Sequence, residues 1–157
     1  MVKAIIFDLC RVFLFPKKED YYGELNALHA ELSKDFNYKF SDNFTFNQEL
    51  MDFVKERHID TSHNLYLFTS GKIQETVECQ RFLNGYFKKI FSAEVLNVSK
   101  KESSSYLLLA DQLNLNPGEI LFVDDMRQNT IAAETAGFST ITFRNNMQFE
   151  AEIPGYI

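Results

Sequence analysis

Short apolar runs alternate along this chain with segments whose apolar residues recur at helical spacing. Ala4-Ile5-Ile6-Phe7, Leu65-Tyr66-Leu67-Phe68 and Ile120-Leu121-Phe122-Val123 are continuous runs of the kind found in strands buried on both faces. They predict strands over 2–7, 65–68 and 120–123, and weaker runs predict two more at 89–92 and 140–143. Between them, Leu25, Leu28 and Leu32 suggest a helix over 19–35. Leu50, Phe53, Val54 and Arg57 suggest another over 46–57, with Thr45 and Gln48 as its expected capping box. A weaker helix covers 72–83 and ends near Gly85. A strong one covers 103–114, with Tyr106, Leu109, Ala110 and Leu113 on one face and Pro117-Gly118 as its stop. The last, 128–136, buries Asn129, Ala132, Ala133 and Ala136 and takes Gly137 as its C-cap. Pro16-Lys17-Lys18 marks a loop over 8–18, residues 36–43 show no clear period, and the chain after 143 reads as a polar tail. Strands alternating with helices predict an α/β fold on a parallel sheet.

The chain has 157 residues, 45% hydrophobic and 24% charged, with no repeat or linker, so 1–157 is read as one domain. A net charge of −6 offers nothing to a phosphate backbone, which argues against nucleic acid. No apolar run approaches the roughly 20 residues of a membrane span, and the start is too short and too soon acidic for a signal peptide. Cys10 and Cys79 lack CxxC spacing and fit a reducing cytoplasm, with Cys79 in the core of its helix. His29, His58 and His63 share no ligand spacing. Oligomeric state is not inferable from any of these features.

The chemistry lies at the strand ends. Asp8 follows the first strand and Asp124-Asp125 a later one, and a doubly wound sheet gathers its ligands outside the carboxyl ends of its strands. Carboxylates about 4–5 Å apart repel by about 3–4 kcal/mol at an effective dielectric near 20. The cluster therefore calls for a hard cation, a shared proton or intervening water.

Four segments occur in a telling order: Phe7-Asp8-Leu9-Cys10-Arg11-Val12, then Leu67-Phe68-Thr69-Ser70-Gly71, then Ser99-Lys100-Lys101-Glu102, then Phe122-Val123-Asp124-Asp125-Met126-Arg127-Gln128-Asn129. Over residues 2–14 and 46–145 the chain resembles the haloacid dehalogenase-like hydrolases. That resemblance implies a doubly wound, Rossmann-like parallel sheet with a short cap insertion, 16–43, after the first strand. It implies a magnesium-dependent phosphatase acting on a small phosphorylated substrate, with Asp8 as the nucleophile that forms an aspartyl-phosphate. Thr69, with Ser70 beside it, would bind the phosphoryl oxygens, and Lys100, favoured over Lys101 by the register of Tyr106, would neutralise charge. Asp8, Asp124, Asp125 and the backbone carbonyl of Cys10 would hold Mg²⁺.

Cys10 departs from the family pattern, which has a second aspartate there as general acid and base. A thiol is a poor substitute, so turnover should weaken least for acyl or aryl phosphates, whose leaving groups need no proton. Arg11 replaces a glycine of a tight turn, so the loop is expected to differ or its guanidinium to meet an anionic substrate. The alternative reading is a catalytically impaired phospho-ligand-binding or regulatory protein. A metal-free haloacid dehalogenase is disfavoured, because bare Asp124 and Asp125 would repel a departing halide. Tyr21, Tyr22 and Phe36 of the insertion are candidates for a small lid over the substrate.

Overall fold

The structure, a computed structural model, describes residues 1–157 apart from His58, whose sequence reading therefore lies outside the described residues. In chain order the elements are β1 (Ala4–Phe7), β2 (Leu14–Pro16), α1 (Leu25–Leu32), α2 (Phe40–Asn43), β3 (Phe44–Phe46), α3 (Gln48–Glu56), α4 (Ile59–Ser62) and β4 (Asn64–Thr69). They continue with α5 (Val77–Leu83), β5 (Lys89–Ser92), α6 (Ala93–Leu96), α7 (Ser103–Leu113), β6 (Ile120–Asp124), α8 (Arg127–Thr135), β7 (Ser139–Thr142) and α9 (Asn146–Glu152).

Five parallel strands form one sheet in the order β5-β4-β1-β6-β7. The continuous apolar runs arise because both faces of the central strands are covered. Ile5, Phe7, Leu65, Leu67, Leu121 and Val123 face a core completed by Leu50 of α3, Cys79 of α5 and Phe149 of α9. Ala4, Ile6, Tyr66, Phe68, Ile120 and Phe122 face the opposite core, with Tyr106 of α7 and Ala133 of α8. Adjacent strands are in register, Phe7 lying opposite both Leu67 and Val123. The chain runs outward from β1 to β4 and β5, then returns to β6 and β7. The order therefore reverses between β1 and β6, which is where an open α/β sheet leaves a crevice for ligands. No helix among the described residues is long and apolar enough to cross a membrane.

Several elements differ from the sequence expectation. The loop predicted over 8–18 contains β2, which pairs antiparallel with β3 and brackets the insertion as a two-stranded ribbon. The first helix is only Leu25–Leu32, because residues before it are committed to loop contacts described below. Asn114, in the left-handed region, ends α7, rather than Pro117-Gly118. The polar tail is helix α9 followed by a turn; Phe149 and Ile153, four residues apart, drive its burial against the first core. Gly137 sits at φ +94° directly after the last residue of α8's terminus, as expected of a glycine ending a helix.

The expected Thr45/Gln48 capping box does not form, because Thr45 is paired in β3. Asn47 caps α3 instead, its side chain accepting from the Leu50 N–H at 3.1 Å. The same amide donates to the Val12 carbonyl at 2.9 Å and to Asn146 at 2.7 Å, tying α3, the loop after β1 and α9 together. Asn47→Ala is expected to destabilise the fold by about 2 kcal/mol, since it removes a cap and leaves a carbonyl unpaired. Thr45→Ala, at an exposed position, should cost under about 0.5 kcal/mol. Urea denaturation of both variants measures the difference; equal costs would mean that Asn47 is not the tie.

Candidate active site

Asp8, directly after β1, and Asp124, the last residue of β6, are both buried. Lys100, on the loop that leads into α7, joins them. Its Nζ lies 3.0 Å from Asp8 Oδ1 and 2.7 Å from Asp124 Oδ2, and it donates to the Phe68 carbonyl at 2.9 Å. Three acceptors surround the ammonium, and the rings of Phe68 and Phe122 lie 5.4 and 5.6 Å from it. Tyr106 holds this lysine in place by donating to its backbone carbonyl at 2.7 Å. Lys101 is exposed.

Each carboxylate is further fixed. Asp8 Oδ1 accepts the Leu9 N–H at 2.7 Å. Asp124 Oδ1 accepts the Met126 N–H at 2.8 Å, and Asn129 Nδ2 lies 3.1 Å from both Asp124 oxygens. Asn129 stands in the fourth segment of the sequence, yet only its side-chain geometry shows its role. Asp125 is half-buried, and one oxygen each of Asp8, Asp124 and Asp125 lie within 4.8 Å of one another. Three carboxylates against one ammonium leave an excess of negative charge suited to a hard divalent cation.

The electrostatics follow from that arrangement. Burial raises the Asp8 carboxyl to about 7; Lys100 pulls it back, while Asp124 and Asp125 push it up again. Burial and the neighbouring Asp124 raise Asp125 to about 6. Burial alone would lower Lys100, but Asp8 and Asp124 outweigh it and hold the ammonium charged. Burial, then the charge of Asp8, pushes the Cys10 thiol well above its usual range.

A pocket of about 200 Å³ opens on this cluster. Asp8, Cys10, Ser70, Asp125 and Asn129 line its floor side, and Tyr22, Gly23, Glu24, Leu25 and Asn26 of the insertion line the other. Thr69 is fully buried and is not among the lining residues. Its hydroxyl donates to Gln74 Oε1 at 3.0 Å, while Gln74 Nε2 bonds the Gly71 carbonyl at 2.8 Å. Thr69 therefore shapes the loop that presents Ser70. Of the aromatic lid candidates Tyr22 alone lines the pocket, and Phe36 is fully exposed away from it. His29 pairs with the Tyr38 hydroxyl inside the insertion.

Arg11 keeps the tight turn that a glycine would make. It adopts φ +61°, a left-handed conformation that costs a non-glycine residue about 1–2 kcal/mol. Arg11 also lines the pocket, and its guanidinium donates to the carbonyls of Tyr21 and Gly23, at 3.0 and 2.8 Å.

No protein-family model matches the chain. It is 33% identical over 87 residues to the enolase-phosphatase E1 of Klebsiella oxytoca, a match covering 50% of this chain and 35% of that protein. Enolase-phosphatase E1 of Methylococcus capsulatus is 36% identical over 84 residues, covering 49% of this chain and again 35% of the relative. The match thus spans about a third of the length of these relatives. Among solved structures, a HAD family enzyme from Bacteroides thetaiotaomicron in complex with magnesium and inorganic phosphate superposes with a TM-score of 0.63 at 16% identity, covering 92% of this chain and 95% of its own.

A cation held by these carboxylates would compete with protons for them, so Mg²⁺ affinity should fall as pH drops through the ranges of Asp8, about 7, and Asp125, about 6. Affinity at pH 5.5 is expected to be at least about tenfold weaker than at pH 8. Calorimetric titration at the two pH values reads it, and an affinity independent of pH would place the cation elsewhere.

Proposed function

We propose that this chain, a haloacid dehalogenase-like hydrolase by fold and by sequence similarity, is a magnesium-dependent phosphatase working through an aspartyl-phosphate on Asp8. The observation that carries this reading is the convergence of Asp8, Asp124 and Asp125 at the reversal point of the sheet, with Lys100 bridging the first two and Asp8 and Asp125 lining a pocket. Asp8, Asp124, Asp125 and the carbonyl of Cys10 would hold the magnesium. When bound, magnesium neutralises negative charge on the carboxylates and phosphoryl oxygens and lowers Asp8 from its metal-free value toward the ionised form.

Asp8 Oδ1 is engaged by the Leu9 N–H and by Lys100, which leaves Oδ2 as the attacking oxygen. Its electron pair forms the bond to phosphorus while the bond from phosphorus to the leaving oxygen breaks, the pair departing with that oxygen. Lys100 lies beside the attacking carboxylate and offsets charge spread over the phosphoryl group. Ser70, on the loop shaped by Thr69 and Gln74, lines the pocket as a donor to the phosphoryl oxygens. Water then attacks phosphorus, expels the Asp8 carboxylate and yields inorganic phosphate.

Cys10 sets the substrate preference. Proton donation from its thiol would leave a thiolate beside Asp8 in a site whose burial already disfavours it. A leaving group stable as an anion does not need that proton, so aryl and acyl phosphates are favoured over alkyl phosphates.

Two outcomes test this. With Mg²⁺, acetyl phosphate should add one phosphoryl group to the protein by intact mass, and Asp8→Asn should abolish the adduct and turnover together. An adduct surviving in Asp8→Asn removes Asp8 as nucleophile, and a wild-type chain showing neither adduct nor turnover points to a phospho-ligand-binding protein. Cys10→Asp should raise alkyl phosphate turnover by up to about a hundredfold and aryl turnover far less. Equal gains on both would contradict the missing-acid account.

A further inference from the structure

The pocket wall formed by residues 21–26 is tied to the sheet's own loops at both ends. From the loop after β1, Arg11 donates to the carbonyls of Tyr21 and Gly23. From the loop after β4, the N–H groups of Lys72 and Ile73 donate to Asn26 Oδ1 at 3.0 and 2.9 Å. Asn26 Nδ2 lies 3.9 Å from the Cys10 sulfur. Two glycines mark how closely these parts approach. A Cβ on Gly71 would meet Asn26 Oδ1 at 2.5 Å, and one on Gly23 would run into the Tyr21 hydroxyl. Between the ties, the Tyr21 hydroxyl donates to the Glu24 carbonyl, bracing the turn from inside.

These loops are the ones that present Asp8 and Ser70, so the wall is braced against the reacting floor. A hinged lid would need ties that break on opening; here the Arg11 side chain holds wall carbonyls while floor N–H groups hold the Asn26 side chain. At about 200 Å³ the pocket falls below the roughly 300 Å³ at which sites for larger ligands begin. Two exposed side chains also line it, Tyr22 from the wall and Met126 from the loop after β6, at 86% and 47% exposure. An aromatic face and a thioether on separate elements of a pocket whose exposed lining is mostly apolar suit a flat apolar group between them.

We propose that residues 21–26 form a fixed wall, latched by the positioning residues Arg11 and Asn26, and that Tyr22 and Met126 at its edge select small phosphomonoesters with an aryl leaving group. The substrate part rests on the phosphatase reading; the latch does not. Arg11→Gly deletes the guanidinium while relieving the left-handed backbone, so any loosening belongs to the side chain rather than to strain.

The test uses the full chain with Mg²⁺ and two non-hydrolysable probes, phenylphosphonate and methylphosphonate, so it needs no turnover. The unaltered protein should bind the phenyl probe about tenfold more tightly, and both Tyr22→Ala and Arg11→Gly should cut that ratio about fivefold. Arg11→Gly should also speed chymotrypsin cleavage after Tyr21 and Tyr22 by about tenfold, whereas Tyr22→Ala should leave cleavage after Tyr21 slow. A wild-type ratio near one, or ratios unchanged in both variants, overturns the selection by the mouth. Cleavage in Arg11→Gly at the wild-type rate overturns the latch. Absence of turnover with these ratios intact would instead remove the phosphatase reading alone.

Discussion

The ammonium of Lys100 is the constraint on which the rest of the structure depends. It is buried, and its two carboxylate partners come from strands that touch only in this topology. At about 3 Å and an effective dielectric near 20, each attraction is on the order of 5 kcal/mol, set against a desolvation cost of several kcal/mol per ion. The balance is favourable only with accurate geometry, and distinct elements supply it. β1 places Asp8, β6 places Asp124, Tyr106 of α7 fixes the lysine backbone and Asn129 of α8 fixes Asp124. Burial first, and then the neighbouring carboxylates, raise Asp8 and Asp125 to about 7 and about 6, so the floor carries more acid than its one lysine offsets. The same excess charge that strains the bare site prepares it for a divalent ion.

The parts of this frame that could be read in the sequence are those in which burial acts on consecutive residues. β1, β4 and β6 are buried on both faces, so each shows as an apolar run and the acids after β1 and β6 stand out against it. Lys100 was separable from Lys101 because an aromatic six residues on had to face the core. Other features depend on contacts distant in the chain and leave little local trace. Asn47 caps α3 while bonding Asn146, 99 residues away. α9 is anchored by Phe149 and Ile153 in a segment otherwise polar. Thr69 sits where a hydroxyl was expected, but its partner Gln74 gives it a role in shaping the loop that a strand-end threonine cannot announce. Residues 21–24 of the wall precede α1 and show no period of their own, because their order comes from the Arg11 side chain and, through Asn26, from backbone N–H groups of the loop after β4.

Cys10 and the wall belong to one electrostatic solution. A further carboxylate at position 10 would stand beside Asp8 and add to the repulsion that already raises Asp8 and Asp125. A thiol held protonated adds no charge there. On the proposed phosphatase reading the cost falls on protonation of the leaving group, and it disappears for one that departs as a stable anion, such as the oxygen of an aryl phosphate. Arg11 donates to two carbonyls of the wall, and its charge also draws the nearby Asp125 toward the ionised form. On the proposed reading, Cys10 and Arg11 account for the missing acid and the latch, while the exposed side chains of Tyr22 and Met126 belong to two other elements that line the same pocket.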